Sequence, residues 1–367
     1  MKRMNNKNPF AILFYSLVLM TVLFLAVSCN QTNKSETTNQ LKTENASQII
    51  SSFFATNGNY IASEQFPGVL TAADVYQMLG KNILIIDLRN AEQYAAGFIE
   101  GAVNLKQEQL IDYFSTQINA ASFEKIILVD SRGQLSSYAT GILRLLGYDN
   151  VYSIRFGMSS WNKQIAQSGW DKAISNDLEG KLDKTAYPKN VANSQLPMLQ
   201  TGGSTAFEIV LNRAEQLLDS SAPSFLVSYK EVISQPDKYY VISYIPEDLY
   251  LKTGHLSKAI QFTPKKSLLP EQELFCLPVD KPIAVYCFSG HQSANVAAYL
   301  RMLGYDAYSI IYGANSFINN TLVKDNSNIF FYWSDLHKND FPLISGQKSK
   351  SNNSAATTEI KAAKGGC

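Results

Sequence analysis

Cys287 stands in the stretch Val285-Tyr286-Cys287-Phe288-Ser289-Gly290-His291-Gln292-Ser293. It closes the apolar run Ile283 to Tyr286. Small and polar residues follow, then an apolar-periodic segment, Ala294 to Leu303. That order predicts a buried strand, a tight loop and a helix, with the thiol at the loop entrance. Backbone N–H groups at a helix start favour an anion, and the dipole lowers a thiol's pKa. The expected chemistry is that of a nucleophilic thiolate, Cys287, in an anion-binding cradle. The N–H groups of Phe288, Ser289, Gly290, His291, Gln292 and Ser293 would form the cradle, with the hydroxyls of Ser289 and Ser293 as further donors. In an exposed loop His291 would be cationic below about pH 6.5.

The chain carries a second copy of this pattern. Asp130-Ser131-Arg132-Gly133-Gln134-Leu135-Ser136 aligns with Cys287 to Ser293, and Arg144-Leu145-Leu146-Gly147-Tyr148-Asp149 aligns with Arg301-Met302-Leu303-Gly304-Tyr305-Asp306. Gly157 then matches Gly313 and Trp161 matches Phe317, which makes an internal repeat. In the first copy Asp130 stands where the thiol stands in the second. It reads as a solvated or helix-capping carboxylate with no nucleophilic role.

The elements that position these loops repeat as well. Ile83 to Ile86, Ile126 to Val129, Tyr239 to Ile242 and Ile283 to Tyr286 are unbroken apolar runs, as expected of parallel strands buried on both faces. Thr71-Ala72-Ala73-Asp74 and Ser228-Tyr229-Lys230-Glu231 have capping-box spacing and open helices between strands. The predicted class is α/β, with a central, mostly parallel sheet flanked by helices in each repeat.

Each repeat resembles a rhodanese domain. In the first, the resemblance is carried by Ile85-Ile86-Asp87-Leu88-Arg89, Glu92, Tyr94 and the turn Gly97 to Leu105; in the second, by Gly254-His255-Leu256-Ser257-Lys258-Ala259-Ile260 and the loop. The tandem is similar to two-domain sulfurtransferases with an inert N-terminal copy and an active C-terminal one. The family's loop runs Cys-x-x-Gly-x-Arg/Thr, and Cys287 to Gln292 follows it with Gly290 in place. The resemblance implies that Cys287 takes sulfane sulfur from a small donor or a protein persulfide and passes it to a thiol, without a cofactor. The alternative is a non-catalytic binding or thiol-redox module. Phosphatase loops of the related Cys-x5-Arg type are one residue longer, and Ser293 stands where their arginine would be. The loop holds no Arg or Lys, so weak use of the dianion thiosulfate is expected. His255, in the glycine turn, reads as structural. Neither copy is complete, since Asp87 and Arg89 are answered by Ser243 and Ile245.

Composition sets the frame. The chain has 367 residues, 46% hydrophobic and 17% charged, enough for two domains with real cores. A net charge of +1 gives no reason to expect a nucleic-acid partner. Lys2, Arg3 and Lys7, the apolar run Phe10 to Val27 and Ala26-Val27-Ser28-Cys29 make residues 1–28 a lipoprotein signal peptide, with Cys29 the lipidated residue. An uncleaved membrane anchor is the other reading of that run. Both predict a bacterial cell-envelope protein, tethered to a membrane and facing the periplasm or the exterior. Residues 29–47 read as a flexible stalk, 66–175 as the first domain, 176–203 as a linker and 204–323 as the second domain. Residues 324–345 read as a packed extension and 346–367 as a flexible tail. The tail ends in Cys367. A coil of that length spans roughly 25 Å, enough to make Cys367 a possible acceptor for sulfur on Cys287. Cys276 reads as a small hydrophobe, with a bridge to Cys287 as the other possibility. Three histidines and isolated cysteines give no metal-ligand spacing. The sequence fixes no oligomeric state.

Overall fold

The computed structural model describes residues 45–193, 195–325 and 328–345. The leader, Cys29, the tail and Cys367 lie outside the described residues. Each repeat forms a five-stranded sheet. In the first, β1 (Val69–Leu70), β2 (Ile83–Asp87), β3 (Val103–Asn104), β4 (Lys125–Val129) and β5 (Val151–Ile154) lie in the order β1-β5-β4-β2-β3. In the second, β6 (Leu226–Val227), β7 (Tyr240–Ser243), β8 (Ile260–Gln261), β9 (Ile283–Tyr286) and β10 (Ala307–Ile310) lie in the order β6-β10-β9-β7-β8. Every pairing between these strands is parallel. The unbroken apolar runs therefore become sheet centres covered on both faces, and β9 is buried along its whole length.

The helices are α1 (Ala46–Thr56), α2 (Ala72–Met78), α3 (Ala91–Ala96), α4 (Gln134–Leu145), α5 (Ala206–Leu218), α6 (Tyr229–Ser234), α7 (Glu247–Thr253), α8 (His291–Met302) and α9 (Asn315–Asp325, bent at Ile318), with shorter helical turns between them. Two details correct the sequence reading, and a third decides between its alternatives. Asn45 caps α1, and Ala46 and Ser47 are buried with Ser47 Oγ donating to the Pro197 carbonyl at 2.6 Å, so residues 45–47 belong to a packed helix and not to a stalk. Thr71 and Asp74 form the full capping box, but Ser228 caps α6 alone. The Glu231 carboxylate accepts from Tyr239 and Lys238 instead of reaching back. Cys276 and Cys287 are both free thiols, which removes the bridge between them.

The two domains share a core. α4 and α8, the helices that follow the two loops, pack face to face. Gly141 permits this approach, because a Cβ there would sit 2.9 Å from Asn295 Oδ1 and 3.2 Å from Ala298 Cβ. Tyr138 of α4 stacks on Phe225 of the second domain at 4.0 Å. One apolar cluster runs through both domains, while the outer face of each sheet has its own. Residues 176–193 lie against the second domain, where Asp183 pairs with His255 and the Asn193 N–H donates to Phe275.

Candidate active site

Cys287 follows β9, and α8 begins at His291, three residues earlier than the apolar period suggests. Gly290 makes the turn with φ 84, a left-handed conformation that glycine adopts without strain. The result is a thiol facing the start of a helix. Cys287 Sγ accepts from the Gly290 N–H at 3.1 Å and the Ser293 N–H at 3.5 Å, and Ser293 Oγ lies 3.7 Å away. The neighbouring loop side chains are engaged or placed otherwise. Ser289 Oγ accepts from His291 Nδ1 at 2.9 Å and forms no hydrogen bond to the sulfur among the described residues. The Phe288 ring stacks on Phe331 at 4.5 Å, and Gln292 is only half-buried.

The first domain builds the same cradle around a carboxylate. Asp130 Oδ1 accepts from the Gly133 N–H at 2.9 Å, the Ser136 N–H at 3.1 Å and the Ser136 hydroxyl at 2.7 Å. Oδ2 accepts from the Arg132 N–H at 3.2 Å. Asp130 is 5% exposed, so of the two expected readings it is the helix-capping carboxylate, buried with its donors in place, and not the solvated one. The equivalence is atomic in detail. Gly133 and Ser136 serve Asp130 as Gly290 and Ser293 serve Cys287.

His291 is the main correction. It was expected as an exposed loop residue, yet it is buried across the domain boundary. Its Nε2 accepts the Phe156 N–H of the first domain at 2.8 Å. Burial, reinforced by the nearby Arg155 charge, pushes its pKa down to about 3, so the ring is neutral. The aligned residue of the first domain, Gln134, crosses in the opposite direction. Its Oε1 accepts the Tyr312 N–H at 2.7 Å, and its Nε2 donates to the Ile310 carbonyl at 3.2 Å. Phe156 and Tyr312 occupy matching left-handed positions, both with φ 61. Gly133 and Gly290 leave room for the visitor. A Cβ on either would fall within 2.4 Å of His291 Nε2 or 2.6 Å of Gln134 Nε2, respectively. Gln134, Phe156 and Tyr312 were not singled out from sequence. The repeat alignment that pairs Gln134 with His291 was the available clue.

The turn residues that carry the family resemblance are architectural. Asp87 and Arg89 form a buried ion pair at 2.6 Å, and Arg89 also donates to the Gly97 carbonyl. His255 is fully buried, stacked on Tyr250 at 4.0 Å, with its ring nitrogens facing the Leu256 and Thr185 carbonyls. It is structural, as expected.

Cys287 is 2% exposed, because the segment after α9 covers its loop. Asn315 Nδ2 donates to the carbonyls of Phe288 and Phe331, both at 2.8 Å, and its Oδ1 accepts the Trp333 N–H. The Phe288–Phe331 stack is part of this cover. Replacing Phe331 with alanine is expected to raise the rate of Cys287 alkylation by iodoacetamide about tenfold, equivalent to about 1.4 kcal/mol off the opening cost. An unchanged rate would place the route to the thiol elsewhere.

Comparison with known proteins gives a consistent result. The family profile described as rhodanese-like domain matches residues 71–164 and 229–320. The thiosulfate sulfurtransferase GlpE of Shewanella oneidensis is 32% identical over 87 residues, covering 23% of this chain and 82% of its own. That of Pseudomonas entomophila is 33% identical over 78 residues, covering 21% and 69%. A tRNA uridine(34) hydroxylase of Teredinibacter turnerae is 23% identical over 119 residues, covering 31% and 35%. Among solved structures, a rhodanese-like domain protein from Staphylococcus aureus shows 23% identity, covering 26% of this chain and 90% of that one, with a TM-score of 0.23.

Proposed function

The chain belongs to the rhodanese-like domain family, and from that premise we propose that it is a sulfurtransferase whose reacting group is Cys287. The Cys287 thiolate attacks the outer sulfur of a donor and forms a new S–S bond. The donor's own S–S bond breaks, and its electron pair leaves on a thiolate or on sulfite. Cys287 then carries a persulfide anion. An acceptor thiolate attacks the outer sulfur and releases Cys287 as a thiolate, so the cycle needs no external oxidant or reductant.

The observation that carries this reading is the pair of equivalent loops. In the first domain the cradle holds a carboxylate by four hydrogen bonds. The same backbone in the second domain presents the Gly290 and Ser293 N–H groups to a sulfur. A scaffold that binds an anion in one repeat is suited to bind a thiolate or persulfide in the other. Donor choice follows from charge. His291 is neutral and committed to Phe156, so the loop offers thiosulfate no cation. A persulfide of lower charge, small or protein-borne, is the favoured donor. The relatives named above include thiosulfate sulfurtransferases, and the donor comparison tests the difference directly.

The experiment is mass spectrometry of the full chain after incubation with thiosulfate, polysulfide and glutathione persulfide. A gain of one sulfur on Cys287 is expected with the persulfides, little with thiosulfate, and none in Cys287→Ser. No added sulfur with any donor would favour a binding or thiol-redox module. An envelope location, with a lipid on Cys29, and an acceptor role for Cys367 are further parts of the proposal. Among the described residues no helix is long and apolar enough to cross a membrane. The mass of the mature N-terminus tests the lipid, and Cys367→Ala with unchanged turnover would remove the tail thiol from the cycle.

A further inference from the structure

A cavity of about 180 Å³ lies in the first domain, beneath the C-terminal extension. Its walls include Arg155, Phe156, Phe330, Ser160, His337 and Asn339. The space suits several non-hydrogen atoms rather than a single water. Arg155 is its only arginine or lysine. Nη1 of Arg155 donates to the Phe330 carbonyl at 2.9 Å, and the guanidinium lies over the Phe330 ring at 4.4 Å. These contacts hold one side of the group and leave the Nε–Nη2 edge unpaired among the described residues. Nε itself is buried with no hydrogen-bond partner there, as is His337 Nε2 on the same cavity wall. No carboxylate forms an ion pair with Arg155 among the described residues. Asp74 is turned to cap its own helix, accepting from the Thr71 N–H and hydroxyl. Burial lowers the Arg155 pKa to about 10, which leaves it a cation at neutral pH.

A half-buried guanidinium with its two-donor edge free is costly unless an anion fills it, and that edge matches two oxygens of one anion. We propose that this cavity is a binding site for a small tetrahedral oxyanion, of the sulfate or thiosulfate class, held two-fold by Arg155 Nε and Nη2 and contacted by His337. Cys287 is not among its walls, although the Arg155 charge interacts with the Cys287 sulfur. Phe156 links the two, because its ring lines the cavity while its N–H is donated to His291 of the active loop.

The test uses the full chain carrying Cys287→Ser, so that binding at the active thiol does not contribute. Tryptophan fluorescence follows titration with sulfate, thiosulfate, phosphate and acetate at constant ionic strength, since Trp333 lies 5.1 Å from Phe156 and 6.2 Å from His337. Saturable binding of the tetrahedral anions is expected, weakened at least tenfold by Arg155→Gln and several-fold by His337→Gln. Arg155→Lys retains the charge but not the two-donor edge, and it should also bind at least several-fold more weakly with an unchanged melting temperature. That variant decides the matter if Arg155→Gln fails to fold. No saturable binding in the parent, overlaying titrations for the parent and Arg155→Lys, or acetate binding as tightly as sulfate would each overturn the proposal.

Discussion

His291→Gln is expected to leave the two domains docked and to remove much of the protein's sensitivity to mild acid. The substitution copies the sister repeat, where Gln134 Oε1 accepts the Tyr312 N–H at 2.7 Å. A glutamine at 291 can accept the Phe156 N–H in the same way, losing the contact with Ser289 and the ring contacts with Phe156 and Trp170, worth about 1–2 kcal/mol. The acid effect follows from His291's depressed pKa, about 3 when folded against an ordinary histidine value of about 6.5. The unfolded chain binds a proton that the folded chain refuses. The stability due to the neutral ring is complete above about pH 6.5, and it declines by about 1.4 kcal/mol per pH unit below that, down toward pH 3. At pH 4.5 the loss is about 2–3 kcal/mol. His337 is also held below the ordinary histidine range by burial and contributes in the same direction, so the difference between variants is the informative quantity. Urea unfolding of the parent and of His291→Gln at pH 8 and pH 5 should show the parent losing more stability by roughly one proton's worth. Identical losses would mean that His291 does not resist protonation. His291→Ala should be unstable at both values by about 2–4 kcal/mol, since it leaves a buried N–H unpaired and a void between the domains.

The residues that make the sheets were readable because their physics is local. Ile126 to Val129 and Ile283 to Tyr286 are apolar without alternation, and each is buried in the centre of a parallel sheet. The position of Cys287 before a glycine-turned helix start was readable for the same reason. The direction of His291 was not. Loop polarity suggested exposure, whereas its environment is set by packing of α4 on α8, which depends on small residues such as Gly141 more than a hundred residues away in sequence. Gln134 looks like an ordinary polar residue until its partner at Tyr312 is known. Arg155 was passed over because it lies just after a strand, outside both loops, and only the fold brings the extension residues Phe330 and His337 to it. The packing of Phe331 on Phe288 is likewise tertiary, though residues 324–345 did read as a packed extension.

Asp130→Ala is expected to cause a large loss of stability. It removes the acceptor of three backbone N–H groups, at Arg132, Gly133 and Ser136, and of the Ser136 hydroxyl. The Asp130 side is nearly sealed from water, so these donors cannot all be satisfied by solvent. A cost of about 3–5 kcal/mol is expected, with a melting temperature lower by roughly 10 °C. Asp130→Asn keeps one acceptor oxygen but turns an amide toward donors, and it should lie between the two. The change should also be felt at Cys287. The Asp130 loop ends in Gln134, which bonds to Ile310 and Tyr312 just beyond the active loop. Persulfide formation on Cys287 should therefore fall several-fold in Asp130→Ala at temperatures where circular dichroism still reports a folded chain. A variant as stable as the parent would show that the cradle does not need its anion. A destabilised variant with full persulfide yield would show that the first loop supports the fold without supporting the chemistry. The fixed carboxylate in one repeat and the sulfur in the other are held by the same donors. The reciprocal Gln134 and His291 contacts tie the geometry of one loop to the other.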